Sequence, residues 1–114
     1  MKVKVSELSG AALDWAVAKC EDEEVSLIKG QLETRWTDNG WKPSTDWAQG
    51  GPIFEREKLG LGHVISEGNS YWIATGYLVE ECAPTPLIAA MRCYVASKLG
   101  DEVDVPDELT EETA

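Results

Sequence analysis

Residues 43–51, Pro-Ser-Thr-Asp-Trp-Ala-Gln-Gly-Gly, crowd hydroxyls, a carboxylate, an indole, an amide and two glycines into one short stretch. Thr45, Asp46, Trp47 and Gln49 could hold a small ligand or a partner. Gly50 and Gly51 would let it approach the backbone, and the N–H groups of a helix opening near Asp46 suit an anion. The spacing is neither the phosphate loop G-x-x-x-x-G-K-[ST] nor the dinucleotide turn G-x-G-x-x-G. A helix cap followed by a kink accounts for the same residues with no ligand.

The other reactive groups form no catalytic constellation. Cys20, Cys82 and Cys93 are odd in number, and no C-x-x-C pair occurs. They read as free thiols in a reducing compartment. The single histidine, His63, and three scattered cysteines lack metal-ligand spacing. No Ser/His/Asp order completes a nucleophilic triad. No metal, cofactor or catalytic residue is therefore expected, and the chain reads as a binding protein more than an enzyme.

The formal charge is −11, from 10 basic and 21 acidic side chains among 114 residues. Seven of the acids lie in residues 100–114, which hold no base. This acidity disfavours direct nucleic-acid binding, which needs clustered Lys and Arg. It leaves open an acidic mimic of nucleic acid that inhibits a basic partner. Residues 106–114 read as a frayed, dispensable tail and residues 1–105 as one domain. Glu21-Asp22-Glu23-Glu24 reads as a helix end in solvent. No apolar run exceeds the five residues Leu87–Met91, so no membrane span is expected. The opening MKVKVSELSG has no apolar signal core, which points to the cytoplasm.

The elements that must position these groups follow from periodicity. Lys2–Val5 alternate as a short strand with Val3 and Val5 inward. Ser9 caps a helix over 9–20, where Leu13, Ala16, Val17 and Cys20 recur at helical spacing. Residues 25–36 fit short strands around Gly30, and 37–40 are turn chemistry. Ser44 or Thr45 caps a helical turn from Asp46, which Gly50-Gly51-Pro52 should break before a restart at Pro52. His63–Ser66 and Ser70–Ala74 flank a Gly68-Asn69 turn, which would set Ile65 opposite Trp72 and Val64 opposite Ile73. Thr85, Pro86 and Gly100 punctuate a final helix whose Ile88, Met91, Val95 and Leu99 share one stripe.

Arg92 falls about 40° from Ile88 on that helix, inside the apolar stripe. Either its stem packs and its head reaches water, or its guanidinium is paired. Asp46 is the first candidate partner, with backbone carbonyls the alternative. The hairpin is apolar on both faces, which predicts helices on both. The expected fold is α+β: a small antiparallel sheet with helix layers above and below, like an α/β/α sandwich. Five tryptophans are many for one small core, and Trp36 and Trp41, which flank a turn, are the expected exposed ones.

Three stretches carry a resemblance. Residues 4–19, 43–57 and 85–109 closely resemble the NinX-like family of lambdoid phage and prophage proteins. Pro43–Asp46 and Pro86–Ala90 are more loosely similar to the phage ABA-sandwich domain, from which Gly50-Gly51-Pro52 depart. The second resemblance implies an α/β/α sandwich. The first implies a phage accessory protein with no established activity. The expected function is a protein-interaction module that binds a host or phage protein in the bacterial cytosol, with self-association left open. The alternatives are a small-ligand binder or enzyme using Thr45–Gly51, and the nucleic-acid mimic.

Overall fold

The computed structural model describes residues 1–28, 31–34, 40–76 and 78–109. Strand β1 (Lys2–Lys4) leads through a 3-10 turn at Val5–Glu7 into helix α1 (Gly10–Cys20). Then come β2 (Ser26–Ile28), β3 (Gln31–Glu33), helix α2 (Trp47–Arg56) and a meander of β4 (Gly60–Ser66), β5 (Asn69–Gly76) and β6 (Val79–Ala83). Helix α3 (Pro86–Leu99) and strand β7 (Glu102–Asp104) complete it. The three sheets among the described residues are antiparallel: β1–β7, β2–β3 and β4–β5–β6. The fold is α+β, as expected.

Helix α3 is the centre of the packing. Thr85 accepts the Ile88 N–H at 3.2 Å, Pro86 occupies the first turn, and Gly100 ends the helix at φ +90°. Its Leu87, Ala89, Ala90, Met91, Cys93, Tyr94, Val95 and Ala96 are all buried, too wide a band for a helix with one covered face. The β4–β6 sheet lies on one side of it, and α1 and α2 pack on it from elsewhere. Met91 and Val95 are buried as their stripe predicts. Leu99 is 41% exposed, because the last turn of α3 runs past the elements that cover the rest.

Only one face of the meander carries a helix among the described residues. Ala74 and Ala83 are buried toward α3, with Leu61, Trp72 and Val79 packed around the same core. The second layer expected on the opposite face is absent there. Val64, Tyr71 and Ile73 instead shield one another as cross-strand neighbours and stay half-buried. The hairpin turn is Glu67-Gly68, both at positive φ, one position earlier than Gly68-Asn69. Ile65 therefore opposes Ser70, and Trp72 opposes His63. The partner shift is two residues, so every side chain keeps its predicted face.

Helix α2 runs unbroken through Pro52. The hydrogen bond that Pro52 cannot make would have gone to the Ala48 carbonyl, and Ala48 is exposed, so water can replace it. The chain ends meet through β1–β7 and the Val105 N–H on the Met1 carbonyl at 2.8 Å. Residues 107–109, expected within the tail, form a helical turn that buries Leu109 beside Val105. Residues 110–114, with Glu111 and Glu112, lie outside the described residues.

Candidate functional site

Segment 40–51 is folded around a buried acid, Asp14 of α1. Asp14 is only 4% exposed. Its Oδ1 accepts the Ser44 N–H at 2.8 Å, and its backbone carbonyl accepts Trp41 Nε1 at 2.8 Å. The Ser44 hydroxyl is buried against the same carboxyl and favours its charged form, yet it makes no well-formed hydrogen bond. Burial outweighs these contacts and pushes the Asp14 carboxyl up to about 6.

That shift makes a pH prediction. The unfolded chain releases this proton near the ordinary 3.8, the folded one near 6, so the folded state holds more protons between those values. Stability from this group therefore falls as pH rises from about 4 to about 6. Asp14→Asn keeps an acceptor for the Ser44 N–H and offers an N–H to the Ser44 hydroxyl. It is expected to remove the slope and to stabilise the fold at pH 8 by about 2 kcal/mol. Urea unfolding of both proteins from pH 4 to pH 8 measures this, and an unchanged slope in the variant would assign it elsewhere.

Two more polar side chains, Gln49 and Asp46, are committed to the shape of the segment. Gln49 accepts the Lys42 N–H at 2.8 Å through Oε1 and donates to the Gly40 carbonyl at 2.9 Å. Asp46, rather than Ser44 or Thr45, caps α2 by accepting the Ala48 N–H at 2.9 Å. Gly50 lies so close to the loop before it that a Cβ would stand 2.2 Å from the Pro43 carbonyl oxygen. At Gly51 a Cβ would touch only the Trp47 ring, at 3.7 Å. Thr45 is exposed at the rim of a cleft of about 640 Å³, with Asp14, Gln31, Trp41 and Lys42 also in its wall.

Arg92 and Asp46 are not partners. Arg92 Nε donates to the Leu8 carbonyl at 2.7 Å and its Nη1 to the Cys82 carbonyl at 2.7 Å. The guanidinium thus ties the turn before α1 to β6, the carbonyl alternative rather than the carboxylate one. Desolvation lowers its pKa, against the pull of Glu81.

The tryptophans divide differently from the expectation. Trp41 is half-buried, fixed by its bond to the Asp14 carbonyl, and Trp36 lies outside the described residues. Trp15 packs against the core with Lys19 over its ring, and Trp72 stacks obliquely on His63 at 4.8 Å. Trp47 is the exposed one among the described residues, at 49%. It stands edge-on to Phe54 at 6.4 Å, beside a notch of about 190 Å³ whose wall includes Thr45, Thr85, Pro86 and Ile88.

Two acidic features complete the surface. Glu21, expected in solvent, accepts Arg56 Nη2 at 2.6 Å and Nη1 at 3.1 Å, together with the Tyr94 hydroxyl. Burial alone would raise its pKa, but these two partners hold it below the usual carboxylate value. It thereby joins the end of α1 to α2 and α3. The next residues, Asp22, Glu23 and Glu24, line a groove of about 710 Å³ with Ser26, Glu33 and Thr34.

Sequence reasoning missed Asp14. The available signal was that it is the single charged residue within Gly10–Ala18, with apolar neighbours on both sides. The thiols of Cys20 and Cys93 are pushed up by burial, to about 12 and about 11, which disfavours the thiolate form. Cys82 is exposed, and His63 bonds Ser70 at 2.5 Å rather than a thiol. Among the described residues no cluster of three His, Cys, Asp or Glu could hold a metal ion, and no helix is long and apolar enough to cross a membrane. A family model described as Bacteriophage P22, NinX matches residues 4–98. No curated protein matches the chain.

Proposed function

From the premise that this chain belongs to the bacteriophage P22 NinX family and is a phage accessory protein, we propose that it acts by binding another protein, through the surface around Trp47. The observation that carries this reading is the division of labour within residues 40–51. The side chains of Ser44, Asp46 and Gln49 turn inward or along the backbone, while the indole of Trp47 stays half in water. Leaving a tryptophan exposed costs the fold the burial of a large apolar ring, and exposed tryptophans are common anchors of protein interfaces. The notch between Trp47 and Ile88 offers a matching apolar side chain a place to seat.

A catalytic reading has less support. Asp14, a carboxyl whose pKa is raised to about 6, is buried and already bonded to Ser44. The partner is a host or phage protein, met in the bacterial cytosol.

The test is capture from phage-infected cells with the natural chain and with Trp47→Ala. Losing a hot-spot indole typically costs about 2 kcal/mol, so retention of the specific partner should fall by about tenfold or more. The melting temperature should fall by only a few degrees, since half of the ring is already in water, and the circular dichroism spectrum should stay unchanged. Equal retention by Trp47→Ala would place the contact on another surface.

A further inference from the structure

The two edges of the β4–β5–β6 sheet are treated differently. At the β6 edge, Glu80 and Glu81 add charge, the Val5–Glu7 turn packs alongside, and Arg92 takes the Cys82 carbonyl. These are the devices by which sheets blunt an edge. At the β4 edge, Gly60–Ser66 carry no Asp, Glu, Lys, Arg or Pro. Among the described residues their backbone groups bond only to β5. Ile65, on this edge, is 73% exposed. A neutral strand of seven residues with an open edge, in a chain of charge −11, is the place where two copies can approach with the least repulsion.

We propose that β4 pairs antiparallel with β4 of a second copy, about a two-fold axis at His63, to form a continuous six-stranded sheet. The register is self-complementary. It sets Leu61 opposite Ile65 of the other copy and Gly62 opposite Val64, so the exposed Ile65 gains an apolar cross-strand neighbour at each end of the ribbon. His63 does not block the axis, because its ring is drawn onto β5 by Ser70 and Trp72. Helix α3 lies mainly over β5 and β6, so the two copies of α3 stand clear of each other. Just beyond the strand, the same register sets Leu59 of one copy opposite Glu67 of the other, so that Lys58 and Glu67 stand diagonally across the hairpin tip. Both are exposed and have no ion pair within their own chain among the described residues. Opposite charges therefore lie diagonally across from each other at both ends of the interface.

Sedimentation over a concentration series tests this on the full chain. The natural protein should move from 12.5 kDa toward twice that mass as concentration rises. Ile65→Lys should raise the dissociation constant by about tenfold or more, with an unchanged circular dichroism spectrum, because the side chain is already in water. Lys58→Glu should weaken association about threefold, and adding Glu67→Lys should restore it. His63→Cys in a Cys82→Ser background should cross-link to itself on oxidation. Ser66→Cys should not, since two copies of residue 66 would lie about 20 Å apart along the ribbon. A natural chain that stays monomeric throughout overturns the proposal, as does a dimer indifferent to Ile65→Lys. A His63→Cys chain that fails to cross-link to itself, or a Ser66→Cys chain that does so, overturns the register.

Discussion

Gly50→Ala is expected to destabilise the fold by about 2–3 kcal/mol, although alanine favours a helix interior over glycine by about 1 kcal/mol. The new methyl would sit 2.2 Å from the Pro43 carbonyl oxygen and 2.7 Å from Leu87 Cδ1. Leu87 is buried and cannot swing into solvent. The Pro43 carbonyl is backbone, and its loop is held on both sides: by Ser44 on Asp14, by Trp41 on the Asp14 carbonyl, and by Gln49 on Gly40 and Lys42. The methyl can be admitted only if α2 lifts from that loop and from α3. Gly51→Ala is the matched control. Its methyl would make only ordinary contact with the Trp47 ring, so the substitution should stabilise by about 0.5–1 kcal/mol. Chemical denaturation of the two variants should give opposite signs. Two equal stabilisations would mean that the close approach at Gly50 does not exist.

That contrast also shows what the sequence could and could not reveal about the site. Two adjacent glycines read alike in a string of letters, yet one is required by packing and the other is not. The difference depends on Pro43 and Leu87, which reach Gly50 from seven residues before it and from another helix. Some local signals were legible where the deciding partner was close in the chain, although the cap and the break expected in α2 were not. Thr85, Pro86 and Gly100 delimit α3 by groups within one turn, and alternation placed every hairpin side chain on its correct face. The Glu67-Gly68 turn was missed by one position because Gly68 can serve as either residue of a two-residue turn. Long-range facts were not legible. Asp14 looks like an ordinary helical acid until loop 40–44 closes over it. Leu99 belongs to the apolar stripe by angle but lies beyond the elements that cover α3. Apolar residues on both hairpin faces suggested two helix layers, whereas cross-strand contacts among Val64, Tyr71 and Ile73 suffice to half-bury one face.

Arg92 is the case in which angle arithmetic found the residue and missed its partner. Its guanidinium spans two backbone carbonyls that no side-chain pattern announces, Leu8 before α1 and Cys82 on β6. Arg92→Ala leaves both acceptors without that donor: water can replace it at the exposed Cys82 carbonyl, whereas the part-buried Leu8 carbonyl left unsatisfied costs about 1–3 kcal/mol. The half-buried stem adds some lost packing on the central helix, so the expected loss is about 1–3 kcal/mol. Arg92→Lys should recover only part of this, because one ammonium cannot reproduce a planar fork that reaches two carbonyls. Asp46→Ala removes an N-cap and should cost about 1 kcal/mol. The two side chains share no hydrogen-bond partner, so the double variant should lose the sum of the two within about 0.5 kcal/mol. A urea double-mutant cycle measures the difference, and a coupling above about 1 kcal/mol would contradict the separate roles assigned here. Additivity would establish that Asp46 serves only its own helix while Arg92 fastens α3 to the turn before α1 and to the sheet. The conformation that leaves Trp47 facing water then rests on the Asp14–Ser44 and Gln49 bonds rather than on Arg92.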